Sequence, residues 1–325
     1  MEHLVFIIQN AILRGTPLLF GATGETITEK SGSLNLGIPG IMSMGACSAF
    51  MGAYFYKQIA VPNAVLGIII PVICCLIGSA LTSLIYAFLT VTLRANQNVT
   101  GLALTTFGIG FANFFGSSLA KIAGTGSAFV NLLDFPKFYK TLFPFYKNLG
   151  AFGEMFLSHG FLVYLAIVIA IASAFILKKT KVGLHLRAVG ENPATADAAG
   201  INVTKYRYLS TIIGGCIAGL GGLQYLMVNA DCIYAKNLLG DIGWLAIALV
   251  IFTIWKSDLA IIASYLFGGL MALGSALNID TKFLPLLDMV PYVLTIVLLI
   301  VMSIINKREN QPPANLGLNY YREDR

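Results

Sequence analysis

Very little in this sequence could act on a bond. Its three histidines (His3, His159, His185) are scattered, and four of its five cysteines (Cys47, Cys74, Cys75, Cys216) sit in apolar runs, where cysteine behaves as a small hydrophobe. Cys232 falls in a predicted outer loop with no obvious mate. No spacing of His, Cys, Asp and Glu has the form of a metal site, and no acid, base and nucleophile stand out as a constellation. A phosphate loop of the form GxxxxGK followed by Ser or Thr is also missing, so ATP is not bound by that route. The chemistry on offer is therefore noncovalent.

Its focus is a polar, alanine-rich passage between two apolar runs, VGLHLRAVGENPATADAAGINVTKYR, from Val182 to Arg207. An ordinary connection would need only a few residues. Asn192 is a strong N-cap, Pro193 suits the first helical position, and Gly200 suits the left-handed position just past a C-terminus. The spacing predicts a two-turn helix over 192–200 with both ends specified, too short to persist alone in water. Small side chains at Ala194, Ala196, Ala198 and Ala199 would let another surface approach its backbone, with Glu191 and Asp197 as charged contacts. Two readings stand: the helix lies on the ends of its own spans, or it docks in a groove of a separate cytoplasmic protein.

The elements that must position this helix are membrane spans. Hydrophobic residues make up 57% of the chain and charged ones 11%, against roughly 25% charged in a soluble domain. Several apolar runs reach the roughly 20 residues that cross a bilayer, and the alternation of a β-barrel is absent. Spans are predicted at 4–22, 35–56, 63–92, 99–119, 156–177, 207–229, 242–255, 258–279 and 286–306. The 63–92 run is long enough to tilt or kink near Pro71, and 242–255 is short for a full crossing. The net charge of +6 requires no nucleic-acid partner. Lys178, Lys179, Lys181, Arg187, Lys205 and Arg207, with Lys307 and Arg308 after the last span, place the 178–207 loop and the C-terminus in the cytoplasm. Nine crossings put the N-terminus outside; a broken helix within 24–40 would make ten. The fold class is thus an all-α polytopic membrane protein, a bundle of about nine or ten transmembrane helices with a cytoplasmic coupling helix. Residues 1–306 form the transmembrane domain, with a coupling loop at 178–207 and an outer loop at 120–155, and 307–325 form a cytoplasmic tail.

Two stretches outside the spans have distinct compositions. The outer loop mixes aromatics (Phe129, Phe135, Phe138, Tyr139, Phe143, Phe145, Tyr146, Phe152) with lysines, as suits an interfacial helix or a landing platform for an outer partner. The tail NKRENQPPANLGLNYYREDR is polar and proline-containing and reads as disordered.

The run GLHLRAVGENPATADAAGINVTKYR resembles the coupling loop of ATP-binding-cassette importer permeases of the nucleoside and simple-sugar branch, related to ribose and branched-chain amino-acid permeases. Leu186, Arg187, Ala188, Gly190, Asn192, Pro193, Ala196, Ala199, Gly200 and Ile201 carry the match. GETITEKSGSLNLGIPGIMSMGA (Gly24 to Ala46) is similar to that branch's early signature through Glu29, Gly32, Asn35, Leu36, Gly37 and Gly40, with weaker echoes in RANQNVTGLAL and GDIGWLAIALVIF. The likeness covers about residues 15–280. It departs at Pro39, where the branch carries a glutamate, and at Thr253 to Asp258, where a Gly-Arg-Trp-like turn is replaced.

The resemblance implies a permease subunit for a small uncharged polar solute, nucleosides or simple sugars, that is not itself an enzyme. It implies no cofactor in this chain, with ATP and Mg held by separate ATPase subunits. Its other implied partners are a second permease chain, like or unlike, an extracytoplasmic binding protein and membrane lipid. Arg187, Glu191, Asn192, Pro193, Asp197, Ala198 and Gly200 become the ATPase-coupling candidates.

Pathway candidates follow from backbone and polarity. Asn35, Gly37, Pro39 and Gly40 would interrupt helical order, either lining a wet pathway or packing helices closely. Gln97 and Asn98 fall at the cytoplasmic mouth. Asp241 and Trp244 fall at the outer mouth, where they could meet sugar hydroxyls or serve as a helix-dipole acid and interfacial anchor. An ion-coupled secondary transporter is the alternative. It needs acids or histidines inside the membrane, and the predicted spans nearly lack them: Asp241 and Asp288 lie at ends, and Arg14 is the one clear charge within a run.

Overall fold

A computed structural model describes residues 2–59, 63–122, 132–140, 142–276, 289–305 and 311–321. Among these the regular structure is all helix, with no strand. The long helices are α1 (Glu2–Glu29), α2 (Ile38–Ile59), α3 (Ala64–Ala87, prolonged by a π turn, Phe88–Thr92) and α4 (Gln97–Ile122). Three short pieces follow, α5 (Pro136–Lys140), a 3-10 turn (Pro144–Leu149) and α6 (Gly150–Phe156). The remainder is α7 (Phe161–Lys179), α8 (Lys181–Glu191), α9 (Pro193–Ala198), α10 (Val203–Gln224, with a second π turn, Tyr225–Asn229), α11 (Ile242–Phe252), α12 (Ser257–Ala276) and α13 (Val290–Ile305). Asp288, Phe129, Lys307 and Arg308 lie outside the described residues.

Among the described residues, six helices are long and apolar enough to cross a membrane: His3–Glu29, Ile38–Ile59, Ala64–Thr92, Gln97–Gly116, Phe161–Lys179 and Val203–Asn229. Ile242–Phe252 and Ser257–Leu273 are shorter apolar helices. The protein is thus a multi-pass membrane protein. Its alternation is legible from contacts at either end. Lys178 pairs with Asp258 at 2.6 Å, Trp255 donates to Glu29, and Asn319 Nδ2 donates to Arg94 O at 2.6 Å. These contacts gather the ends of α1, α3, α7 and α11 on the face of the coupling loop. At the other face Lys57 meets Asp134, Lys140 meets Asp231, and Gln9 Nε2 donates to Glu154 O at 2.7 Å. The start of α1 therefore lies at the end of the bundle opposite the coupling loop.

The core is a set of helices in unusually close approach. α1 crosses α10 at Gly24 and Gly214, where a Cβ on Gly24 would stand 2.2 Å from Gly214 O. Small residues permit such backbone contact, and in lipid, packing replaces the hydrophobic drive between helices. Threonine and serine hydroxyls in these helices bond back one turn, as Thr26 Oγ1 does to Ala22 O at 2.7 Å.

Three expectations are corrected. The first span does not end at residue 22: α1 continues to Glu29, which brings Glu25 and Glu29 inside it, both buried. Spans are therefore not almost free of acids. The 24–40 region holds no extra broken helix, because α1 and α2 are separated only by residues 30–37. The tail is not disordered between 311 and 321; it lies across the coupling face through defined hydrogen bonds. The outer segment forms short helices, and two of its aromatics pack inward. Phe135 and Tyr139 are fully buried, and Tyr139 Oη donates to Ile68 O at 2.9 Å, so its aromatics cap the bundle.

Candidate functional site

The coupling loop is built by caps. Thr180 Oγ1 accepts from Gly183 N at 3.1 Å and starts α8. Asn192 closes α8 and opens α9: its N–H donates to Ala188 O at 2.9 Å and its Oδ1 accepts from Thr195 N at 3.0 Å. Pro193 takes the first position of α9, where its missing N–H costs nothing. Gly200, with φ of +83°, supplies the left-handed turn that lets Ile201 N reach back to Ala196 O at 3.0 Å. Asn202 then caps α10, accepting from Lys205 N at 2.9 Å.

α9 has two faces. Ala196 packs with Val189 and Val203 in a small apolar cluster completed by Ile201, Tyr206 and Tyr320. Ala194, Thr195, Ala198, Ala199 and Gly200 are exposed on the opposite side, with Arg187 and Glu191 exposed beside them and Asp197 half-buried. The helix lies on its own spans and still presents a bare surface of small side chains. Lys30 approaches from the end of α1. Desolvation pushes its ammonium below the ordinary lysine value, and the Glu191 carboxylate opposes that shift.

Residues 30–37 place irregular backbone deep in the bundle, which is tolerated only where protein satisfies it. Here five backbone groups have side-chain partners, while Asn35 Nδ2 is buried without one. Leu34 N donates to Gln97 Oε1 at 2.7 Å, and Leu34 O accepts from Tyr86 Oη. Asn35 N donates to Glu25 Oε1 at 3.0 Å. Leu36 O accepts from Thr105 Oγ1 at 2.7 Å, and Gly37 N donates to Asn35 Oδ1 at 2.9 Å. The sequence reading missed Glu25, Tyr86 and Thr105. The i, i+4 glutamates of GETITE were the available signal for the first. Asn35, Gly37, Pro39 and Gly40 are all buried within the chain; Gln97 is buried under the loop, and its neighbour Asn98 is exposed.

The second irregular stretch, 230–241, descends from the outer face and turns into α11. It lines a cleft of about 190 Å³ together with Ser43, Ile109, Asn113, Tyr234 and Trp244. An adjoining cleft of about 390 Å³ is lined by Asn237 to Ile242, Tyr225, Met271 and Tyr292. Ile109 stands near the middle of α4, so the first cleft reaches the mid-height of the bundle. α11 spans about 16 Å, half a bilayer, at 1.5 Å per residue, which accounts for its short apolar run. Its N-terminal end opens on the cleft beside Asp241, which is exposed. Asn113 and Asn237 fix the descending loop reciprocally: Asn113 Nδ2 donates to Asn237 Oδ1, and Asn237 N donates to Asn113 Oδ1, both at 2.8 Å. Asp241 and Trp244 thus share one cleft, well below the outer mouth. An asparagine inside the apolar 99–119 run was a signal left unread.

A bundle whose irregular 30–37 backbone is held by side chains of α1, α3 and α4, with a half-helix opening on a polar cleft, is arranged to pass a solute. The class is a multi-pass membrane permease. The chain belongs to the family described as the branched-chain amino acid transport system permease component, whose model matches residues 7–302. It is similar to a putative glucose ABC transporter permease of Haloferax volcanii, 34% identical over 84% of this chain and 78% of the relative. It is also similar to a guanosine ABC transporter permease of Bacillus subtilis, 32% identical over 100% of this chain and 99% of that one. A nucleoside ABC transporter permease of Lactococcus lactis subsp. cremoris is 32% identical over 98% of both chains. No solved structure matches the chain.

Proposed function

We propose that this chain is the membrane permease subunit of an ATP-binding-cassette importer for a small uncharged polar solute, a nucleoside or a simple sugar. The observation that carries the reading is the two-faced α9: capped at both ends, anchored by Ala196, and bare along Ala194, Ala198 and Ala199. A helix so placed is a handle for a motor the chain does not contain. ATP and Mg belong to separate ATPase subunits in this reading, with a second permease, like or unlike, and an extracytoplasmic binding protein completing the assembly. Closure of the motor dimer would draw the α9 helices together and bias the bundle between two states, which requires the motor to bind those states differently. Arg187, Glu191 and Asp197 would carry the charged contacts.

The cleft of Ser43, Asn113, Asn237, Asp241 and Trp244 is the pathway candidate. Amides, a hydroxyl and an indole suit hydroxyl-rich or heterocyclic solutes, and a half-helix ending at mid-membrane is a recurring feature of transport sites. The guanosine, nucleoside and glucose names of the relatives support the solute class. Ion coupling is not favoured. The two buried glutamates are engaged, Glu25 with Asn35 N and Glu29 with the Trp255 indole.

The test is Ala198→Trp, which adds bulk to the bare face. With the chain at normal abundance, copurification of the ATPase subunits and ATP-driven uptake of labelled nucleoside should each fall about tenfold or more. Unchanged association and uptake would overturn the assignment. Competition between inosine and ribose in vesicles carrying the whole complex separates the two solute classes.

A further inference from the structure

The segment 313–321 has no part in the reading so far, yet it is the most heavily hydrogen-bonded stretch of the coupling face. Asn315 N donates to Gly190 O at 3.0 Å, and Gly317 N donates to Gly32 O at 3.1 Å. Arg207, which is buried, donates through Nη2 to Asn315 Oδ1 at 2.8 Å and through Nη1 to Leu318 O at 3.2 Å. Asn319 Nδ2 donates to Arg94 O, and the Arg94 guanidinium lies 4.6 Å from the centre of the Tyr321 ring. Tyr320 Oη donates to Asp197 Oδ2 at 2.9 Å, and its ring packs on the cluster that holds Ala196.

These contacts reach α8, α9, the α1–α2 loop, the α3–α4 elbow and α10. α9 itself is joined to the membrane helices through backbone only at its two ends. The Ala196 cluster holds its apolar side against α8 and α10, but a load applied to its bare face would rotate so short a helix unless a polar bond held it to the bundle elsewhere. The tail supplies that bond, from Asp197 to Arg94, Arg207 and Gly32 in one continuous strand. We propose that residues 313–321 are a positioning tether that makes α9, the α1–α2 loop and the cytoplasmic ends of α3 and α10 move as one body, so that motor work reaches the pathway helices. It acts on transmission and leaves motor docking intact. The proposal rests on the importer reading given above.

The experiment reconstitutes the whole complex with the full-length chain, a chain ending at Gln311, and the variants Tyr320→Phe and Asn315→Ala. ATPase copurification, ATP hydrolysis and solute uptake are measured on each. The truncated complex should keep its ATPase subunits and its hydrolysis, while ATP hydrolysed per solute imported rises about fivefold or more. Tyr320→Phe and Asn315→Ala should raise the same ratio by about two- to fivefold, and they decide the matter if the truncated chain does not accumulate. An unchanged ratio in all variants overturns the tether. Loss of ATPase binding with the tail also overturns it, in favour of a docking role. If the full-length chain itself neither binds ATPase subunits nor imports with ATP, the importer reading is what has failed.

Discussion

The two faces of the bundle are tied in different ways. On the coupling face, beside the exposed Lys178–Asp258 pair, buried polar groups are joined into a network that runs through Glu25, Tyr86, Gln97, Arg207 and the tail. On the outer face the charged contacts are solvated ion pairs, Lys57 and Lys137 with Asp134 and Lys140 with Asp231, with side chains about a third to two-thirds exposed. Exposed pairs contribute little, and salt screens them; a buried network resists deformation because each lost partner leaves an orphan in low dielectric. The contrast fits a device gripped at one end and opened at the other. The gripped end must transmit displacement without yielding, whereas the outer end must change shape at little cost.

The sharpest way to break this comparison is Arg207→Ala. The substitution removes the donor to Asn315 Oδ1 and Leu318 O in a buried setting. Loss of one partner in such a network costs about 2–5 kcal/mol. The expected outcome is a lower thermal midpoint in detergent and protease cleavage between the tail and α13, measured by limited proteolysis. A variant as stable as the parent, with an uncleaved tail, would mean that the inner network is no stiffer than the outer one.

How far the sequence foretold this face is instructive. α9 was legible because its caps are local: Asn192, Pro193 and Gly200 specify their own backbone with no help from distant residues. The helical, multi-pass character was legible too, since hydropathy depends on composition. The length of α1 was not, because TGETITE reads as polar while Gly24, Thr28 and Glu29 are buried by partners far along the chain, at Ser210, Gly214 and Trp255. The tail failed for the same reason. Its asparagines look like a solvated end, and their partners lie far along the chain, Gly190 O and Arg207 for Asn315 and Arg94 O for Asn319. Trp255 shows a third limit. It adopts φ of +53° beside Ile254 at +55°, a conformation that is an outlier for bulky residues and that no local pattern announces. Its indole bond to Glu29 accounts for its retention there.

The outer face should respond weakly to the corresponding insult. Lys57→Ala removes one of two lysines from Asp134, a carboxylate held below its usual value by hydrogen bonds to Lys137 and Lys57. The remaining lysine and solvent both compensate, so the thermal midpoint should stay within measurement error, and added salt should leave the comparison with the parent unchanged. A drop approaching that of Arg207→Ala would erase the distinction between the two faces.

A finer probe of the outer face is proton uptake at His159. Burial holds its imidazole below the ordinary value of 6.5, although the hydrogen bond to Met155 O pulls the other way. The neutral ring donates from Nε2 to Met155 O at 3.0 Å, and the His159 carbonyl accepts from Leu142 N at 3.0 Å. The folded chain therefore binds fewer protons here than the unfolded one once pH drops below that ordinary value. The group's contribution to stability is complete above it and drains away as pH falls through it. Amide exchange at Leu142, corrected for the intrinsic rate, should accelerate as the medium is acidified across this range, and His159→Gln should flatten the response. The amides of Leu34 and Gly37 on the coupling face should show no such acceleration over the same range, because their acceptors are the side-chain amide oxygens of Gln97 and Asn35, which do not titrate. Equal acceleration at both sites would show that acid loosens the whole bundle rather than the outer segment alone.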